Sequence, residues 1–154
     1  MTVATERKTE TAGVELKRVF QAPRERVFDA WTNGDALAAW FGPQGLSTRI
    51  DTFNPRPGGR YRFVMEGEGE YPVGGEFLEI VPPERLSFTW AWERGDYAGV
   101  ETVVEVTLAE TAGGTELTLV HRRLLNDEAC DKHRQGWTSS FGCLEEFLAK
   151  EDRS

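Results

Sequence analysis

Residues 126–150 read NDEACDKHRQGWTSSFGCLEEFLAK, and this segment has one strong period. Its large side chains recur every three or four residues, at Cys130, His133, Trp137, Phe141, Leu144 and Leu148. This spacing places them on one face of an α-helix, while polar residues such as Lys132 and Gln135 lie on the other face. Asn126 or Asp127 can cap the first turn. The segment therefore predicts a long amphipathic helix that covers an apolar surface.

The apolar surface is predicted upstream, where large and polar side chains alternate. Six strands are predicted there, at residues 45–54, 58–66, 71–81, 85–93, 101–110 and 115–123, with turn-forming residues between them. The large residues keep to one face, so one side of the sheet is covered and the other is exposed. Strands that follow each other through short turns favour an antiparallel meander over βαβ units.

Two short helices are predicted between a first strand at residues 14–20 and the six later strands. Pro23 suits the first position of a helix, because its missing N–H has no partner to lose there. A second helix begins within residues 33–35 and ends at Gly42-Pro43, since the proline ring cannot continue a helix.

This order of elements predicts an α+β fold with a curved seven-stranded antiparallel sheet, two short helices after strand 1 and a long C-terminal helix. A twisted sheet does not close tightly on a single helix, so an apolar cavity is expected between them. One domain is expected over residues 14–150. Residues 1–13 are polar and lack a period, and are expected to form a disordered or frayed tail.

The composition limits the partners of the chain. Eighteen Lys and Arg against 26 Asp and Glu give a net charge of −8, so nucleic-acid binding is not expected. No apolar run approaches the roughly 20 residues of a membrane helix and no signal core is present, so a cytoplasmic protein without a membrane span is expected. Two cysteines without a CxxC pair argue against a metal, and no GxSxG, Walker, HExxH or GxGxxG motif indicates a cofactor.

Several short motifs, in this order, resemble those of a known family. They are WFGP at 40–43, PRPGG at 55–59, YRFVM at 61–65, GEFLEIVPPERL at 75–86, GGTELTLVH at 113–121 and HRQGW at 133–137. The set is similar to the heat-shock-protein-90 ATPase activator homologues, a branch of the START-like (SRPBCC) helix-grip superfamily. The resemblance implies a sheet that grips the C-terminal helix around a cavity for lipids, sterols, polyketides or similar molecules. The superfamily also includes enzymes and chaperone partners, so function has to be argued from the residues.

Aromatic side chains are the candidate walls of that cavity. Phe, Trp and Tyr make up 17 of the 154 residues. A ligand site is predicted at Trp40, Tyr61, Phe63, Met65, Phe77, Phe88, Trp90, His133, Trp137 and Phe141. The same rings would fill a core whether or not a ligand binds, so a closed core is the alternative interpretation.

His133 is the candidate polar group on the inner stripe of the long helix. It can hydrogen-bond a ligand, act as a base if Glu79 or Asp131 reaches it, or simply satisfy a structural partner. His121 ends a strand and is expected to be structural or solvated.

Glu79 is predicted to point inward, because it shares a face of its strand with Gly75 and Phe77. A buried carboxylate has to be paired or neutral, so Glu79 is expected either to pair with an arginine such as Arg60 or Arg62 or to polarise a ligand.

Gly136 and Gly142 interrupt the helix and weaken it by roughly 1 kcal/mol each relative to Ala. Close approach of the sheet, or room for a ligand over the helix, are the two physical reasons for such residues.

Together these observations predict binding of a small hydrophobic or amphipathic ligand, such as a lipid, a sterol or a polyketide-like molecule, in the sheet-helix cavity. Two alternatives belong to other classes: an interaction protein that modulates a chaperone ATPase, and a cyclase- or hydrolase-type enzyme that uses His133 with a carboxylate. Binding is expected rather than catalysis, with no catalytic residue, metal or cofactor. The expected partners are the ligand and, in the first alternative, a chaperone, with the protein itself a monomer or weak dimer.

Overall fold

The computed structural model describes residues 12–153. Within this range the chain forms seven strands: β1 (Ala12–Phe20), β2 (Ser47–Phe53), β3 (Arg60–Glu66), β4 (Glu70–Val81), β5 (Arg85–Trp92), β6 (Thr102–Thr111) and β7 (Gly114–Leu124). Three helices accompany them in the same range: α1 (Arg24–Thr32), α2 (Gly34–Trp40) and α3 (Asp127–Arg153). The predicted α+β class, with two short helices after the first strand and one long C-terminal helix, is confirmed.

The strands form one antiparallel sheet, in the order β1-β7-β6-β5-β4-β3-β2 over the described residues. Strands β2 to β7 are a meander, and β1 closes the sheet beside β7. Gly114 begins β7 with a φ of +147°, and a Cβ at this position would lie 2.1 Å from the carbonyl oxygen of Phe20. Glycine is therefore required where the two strands meet.

The helix ends follow local chemistry. The side chains of Asn33 and Asn126 each accept a hydrogen bond from the backbone N–H three residues further on, at 3.2 and 2.8 Å, and so cap α2 and α3. Pro23 is the N-cap of α1 with an extended backbone, one position before the predicted one. Gly42, with a φ of +103°, turns the chain away after α2 and before Pro43, as predicted.

The core lies between one face of the sheet and α3. Strand β6 shows the alternation well: Val104, Val106 and Leu108 are buried, and the residues between them are more exposed. The buried side chains of α3 are Ala129, His133, Trp137, Ser140, Phe141, Leu144 and Leu148. The long helix therefore covers the apolar face of the sheet with the predicted stripe, apart from Cys130, which is only partly buried.

A bulge in β4 changes the face of one predicted site residue. Phe77 pairs with Phe88, but Glu79 pairs with Ser87, so β4 carries one more residue than β5 between these pairs. A slip of one residue moves a side chain to the opposite face of a sheet. Glu79 therefore does not share the inward direction of Phe77.

The ion pairs confirm this outward position of Glu79. Its carboxylate accepts two hydrogen bonds from the Arg85 guanidinium, at 3.0 and 2.8 Å, and these bonds lower the pKa of Glu79. Arg62 instead donates to Glu93, at 2.7 and 2.9 Å. The predictions that Glu79 is buried and pairs with Arg60 or Arg62 are wrong, because the bulge was not visible in the alternation of the sequence.

The predicted tail falls almost entirely outside the described residues. Ala12 already belongs to β1, two residues before the predicted start of the strand. Among the helices described, none is long and apolar enough to cross a membrane.

Candidate functional site

A cavity of about 340 Å³ lies between the first half of α3 and the β3–β5 part of the sheet. Its volume is near the lower end of the roughly 300–1,000 Å³ typical of small-molecule sites. The lining residues are Phe41, Gly42, Pro43, Leu46, Met65, Tyr71, Trp90, Trp92, Tyr97, Lys132, His133, Gly136, Trp137 and Ser140. Most of this lining is apolar, and six of its side chains are Phe, Trp or Tyr.

Gly136 provides the room on the helix side of the cavity. A Cβ built at Gly136 meets no atom within 4 Å, so close approach of the sheet does not require this glycine. Gly142 lies off the lining, and a Cβ there would be 3.9 Å from Gln44 Nε2. Of the two predicted reasons for glycine in this helix, open space is the one found at Gly136.

Two connecting segments form the rim of the cavity. The segment between α2 and β2 supplies Gly42, Pro43 and Leu46, and the segment between β5 and β6 supplies Tyr97. The Tyr71 residue and the Lys132 side chain are 45% and 55% exposed, respectively. Solvent therefore reaches the cavity on this side.

The structure brings four of the ten predicted site residues to this cavity: Met65, Trp90, His133 and Trp137. Four others, Tyr61, Phe63, Phe77 and Phe88, pack against one another with ring centroids 4.8–5.9 Å apart around a void of only about 10 Å³. Trp40 donates a hydrogen bond to the Ala30 carbonyl, and Phe141 packs edge-on against Phe20 at 5.9 Å. These six residues belong to the closed part of the core and do not line the larger cavity.

Four aromatic residues that line the cavity are not among the ten predicted site residues. Trp92 continues the inward alternation of β5, so the pattern was sufficient to find it. Tyr71 is the second residue of β4 and shares the face of Val73 and Phe77, so the alternation was sufficient there too. Phe41 and Tyr97, by contrast, lie outside helices and strands. No periodicity applies to such positions, so only the tertiary structure reveals them.

His133 is held from both sides. Its Nε2 accepts a hydrogen bond from Trp92 Nε1 at 3.0 Å, and its Nδ1 lies 2.7 Å from the Ala129 carbonyl oxygen, one turn earlier in α3. An indole N–H only donates and a carbonyl only accepts. His133 is therefore the neutral tautomer with the proton on Nδ1.

His121 is fully buried and has the opposite tautomer. Its Nδ1 accepts a hydrogen bond from Trp137 Nε1 at 3.1 Å, so the proton lies on Nε2, 2.7 Å from Thr102 Oγ1. The Thr102 hydroxyl in turn donates to the Trp90 carbonyl at 2.8 Å. The expectation of a structural role for His121 fits this chain of bonds, in which every polar atom has a partner.

Both imidazoles are held neutral by their surroundings. Burial, together with the neighbouring His133 ring, lowers the pKa of His121 to about 3. Burial also lowers the pKa of His133, although its bond to Ala129 opposes the shift. The two ring centroids are 4.9 Å apart, so a proton on one ring disfavours a proton on the other.

The geometry does not assemble the acid-base pair of the enzyme alternative. Both ring nitrogens of His133 have partners other than a carboxylate, and Glu79 is on the outer face of the sheet with Arg85. Within residues 13–150, no three His, Cys, Asp or Glu side chains group to hold a metal ion.

The curved antiparallel sheet, the long helix packed on it and the apolar cavity between them define a helix-grip domain. The chain belongs to the family described as activator of Hsp90 ATPase homolog 1-like protein, whose model matches residues 21–149. The resemblance predicted from the motifs is thus confirmed.

Solved structures agree with this family. The AHSA1 protein from Silicibacter pomeroyi is 36% identical, with 91% of this chain and 99% of that chain covered and a TM-score of 0.82. A protein from Chromobacterium violaceum is 29% identical, with coverage of 88% and 96% and a TM-score of 0.78. One from Rhodobacter sphaeroides is 28% identical, with coverage of 90% and 93% and a TM-score of 0.76. None of the curated proteins matches the chain in sequence.

Proposed function

We propose that this protein binds a small hydrophobic or amphipathic molecule in the cavity between the sheet and α3. The observation that carries the proposal is a space of about 340 Å³ with aromatic walls, which solvent reaches and which remains open at Gly136. The rest of the core is closely packed around a void of about 10 Å³. An apolar opening of this size beside a packed core is typical of a small-molecule site.

The driving force is burial of apolar surface. At about 25 cal/mol per Å², a ligand that loses about 200 Å² of apolar surface gains about 5 kcal/mol before the costs of association. Rings such as Trp90, Trp92 and Trp137 suit flat ligands in particular, because aromatic groups stack or pack edge-on against them. Lys132, paired with Glu128 at 3.7 Å, is the charged residue among the lining residues.

The test fills the cavity with a larger side chain of the protein itself. Gly136→Leu places a side chain in the open space, and we expect it to weaken binding of the fluorescent probe N-phenyl-1-naphthylamine at least tenfold. The same change should stabilise the fold by about 1 kcal/mol, because leucine is the better helix former. Binding is measured by titration of probe fluorescence, with fatty acids, sterols, flavonoids and polyketide-like aromatics as competitors, and stability by urea unfolding.

Gly142→Leu is the matched control, since it puts the same side chain on α3 away from the cavity lining. It should keep the affinity of the native chain. The proposal is refuted if Gly136→Leu and the native chain bind the probe with equal affinity, or if no compound binds saturably.

The description of the family favours a second candidate function, modulation of a chaperone ATPase. This function predicts that the purified chain changes the steady-state ATPase rate of an Hsp90-type chaperone. Gly136→Leu separates the two candidates, because a substitution inside the cavity should leave a surface interaction with a chaperone unchanged.

A further inference from the structure

Each histidine of the site accepts a hydrogen bond from an indole that lines the cavity. His133 Nε2 accepts from Trp92 Nε1, and His121 Nδ1 accepts from Trp137 Nε1. An imidazole nitrogen accepts such a bond only while it carries no proton. The position of two cavity walls therefore depends on the protonation state of two side chains.

His133 is the one of the two that a ligand would touch. It lines the cavity and is 8% exposed, whereas His121 is fully buried and is not part of the lining. The His133 ring packs between Trp92 and Tyr97, whose ring centroids are 6.2 and 5.9 Å away.

The groups that face His133 do not compensate a positive charge. Strand β7 presents the His121 ring, the β5–β6 segment presents Tyr97, and on α3 itself Lys132 is paired with Glu128. Over the described residues, no carboxylate hydrogen-bonds either ring nitrogen of His133. A proton on His133 would therefore be an unpaired charge at an apolar wall, which is costly.

We propose that His133 is a positioning residue that holds Trp92 at the cavity wall in its neutral form, and that uptake of one proton by His133 expels the ligand. The inference rests on the proposed function of the cavity. Protonation places an N–H of the imidazole against the N–H of Trp92, so the indole loses its acceptor. A bound apolar molecule also keeps water from the imidazolium that would form. Both effects weaken ligand binding when His133 is protonated.

Ligand and proton binding are then reciprocal. If protonation of His133 weakens ligand binding, then ligand binding must disfavour protonation of His133 by the same factor. Burial already lowers the pKa of His133 below the ordinary value of 6.5, so the loss of affinity begins below about pH 6.5.

The experiment measures N-phenyl-1-naphthylamine affinity between pH 7.5 and 5.0, a range over which the charge of this probe is constant. For the native chain we expect affinity to fall progressively as the pH is lowered toward 5.0, by more than it does in a variant that cannot titrate, because each pH unit below the pKa of His133 shifts a one-proton equilibrium up to tenfold. His133→Gln offers an amide oxygen to Trp92 without titrating, and its affinities at the two pH values should agree within about 1.5-fold. His133→Leu, which offers no acceptor, should bind more weakly than His133→Gln at pH 7.5.

The outcomes separate this inference from the proposed function. Saturable binding that is independent of pH in the native chain, or the same pH response in His133→Gln, overturns the role of His133 and leaves the ligand site standing. No saturable binding at any pH overturns both. Far-UV circular dichroism is recorded at each pH, and a loss of affinity that occurs only where the native spectrum is lost also counts against the role of His133.

Discussion

His121 shows how a side chain able to do acid-base chemistry becomes a structural element. It has no exposed surface, and its two nitrogens connect β7 to α3 through Trp137 and to β6 through Thr102. Fully satisfied buried networks of this kind specify one arrangement of the core, because each member loses a partner if another moves.

The stability of the fold should depend on pH through His121. The folded protein keeps this ring neutral down to a pKa of about 3, while in the unfolded chain it takes up a proton near pH 6.5. The unfolded state therefore binds more protons below pH 6.5, and stability falls as the pH falls. Between pH 7.5 and 5.0 this residue alone should lower the free energy of unfolding by about 2 kcal/mol, measured by urea unfolding at several pH values.

His121→Asn provides the control, since asparagine can accept from Trp137 through its carbonyl oxygen but does not titrate. The variant should be less stable at pH 7.5 and less dependent on pH than the native chain. If the free energy of unfolding of His121→Asn falls with pH as steeply as that of the native chain, other groups cause the pH dependence.

At the scale of the element, α3 combines two different glycines. A Cβ at Gly136 points into open space, and a Cβ at Gly142 makes an ordinary contact with Gln44 at 3.9 Å. Both positions weaken the helix, but the cavity depends on one of them. The helix therefore gives up stability at Gly136 in favour of open volume.

Gly142→Ala should stabilise the protein by about 0.5–1 kcal/mol without affecting the cavity. Alanine is the better helix former, and the added methyl group meets no backbone atom of the sheet. The urea midpoint should rise while the affinity for N-phenyl-1-naphthylamine stays the same. A lower midpoint would show that the contact with Gln44 is tighter than its distance indicates.

Over the whole molecule, the inner surface is divided into a closed part and an open part. Strand β4 contributes to both: Phe77 is 3% exposed among the packed rings of the closed core, and Tyr71 is 45% exposed at the cavity rim. Substitutions in the two parts should therefore have different consequences.

Phe77→Ala should cost about 3–5 kcal/mol of unfolding free energy, the usual cost of removing a buried aromatic ring. Tyr71→Ala should change stability by less than about 1 kcal/mol but weaken probe binding, because it removes an exposed wall of the cavity. Urea unfolding and the fluorescence titration, performed on both variants, check the division. Comparable stability losses in the two would contradict it.

The sequence by itself determined the order and type of the elements. The period of α3, the alternation of β5 to β7, the cap at Asn126 and the stop at Gly42-Pro43 are local signals, and local signals are set by the chain itself. The motifs likewise identified the family, because they are read directly along the chain. The inward set of aromatic residues followed from the same alternation.

The tertiary structure decided which of those inward residues form a site. The bulge in β4 reversed the side of Glu79, and neighbouring rings closed around Phe63 and Phe88 while the space beside Gly136 stayed open. Register, bulges and voids depend on how elements meet, and residues far apart in the chain set them together. For the same reason, the partners of His133 and His121 became known only once the sheet and the helix were packed.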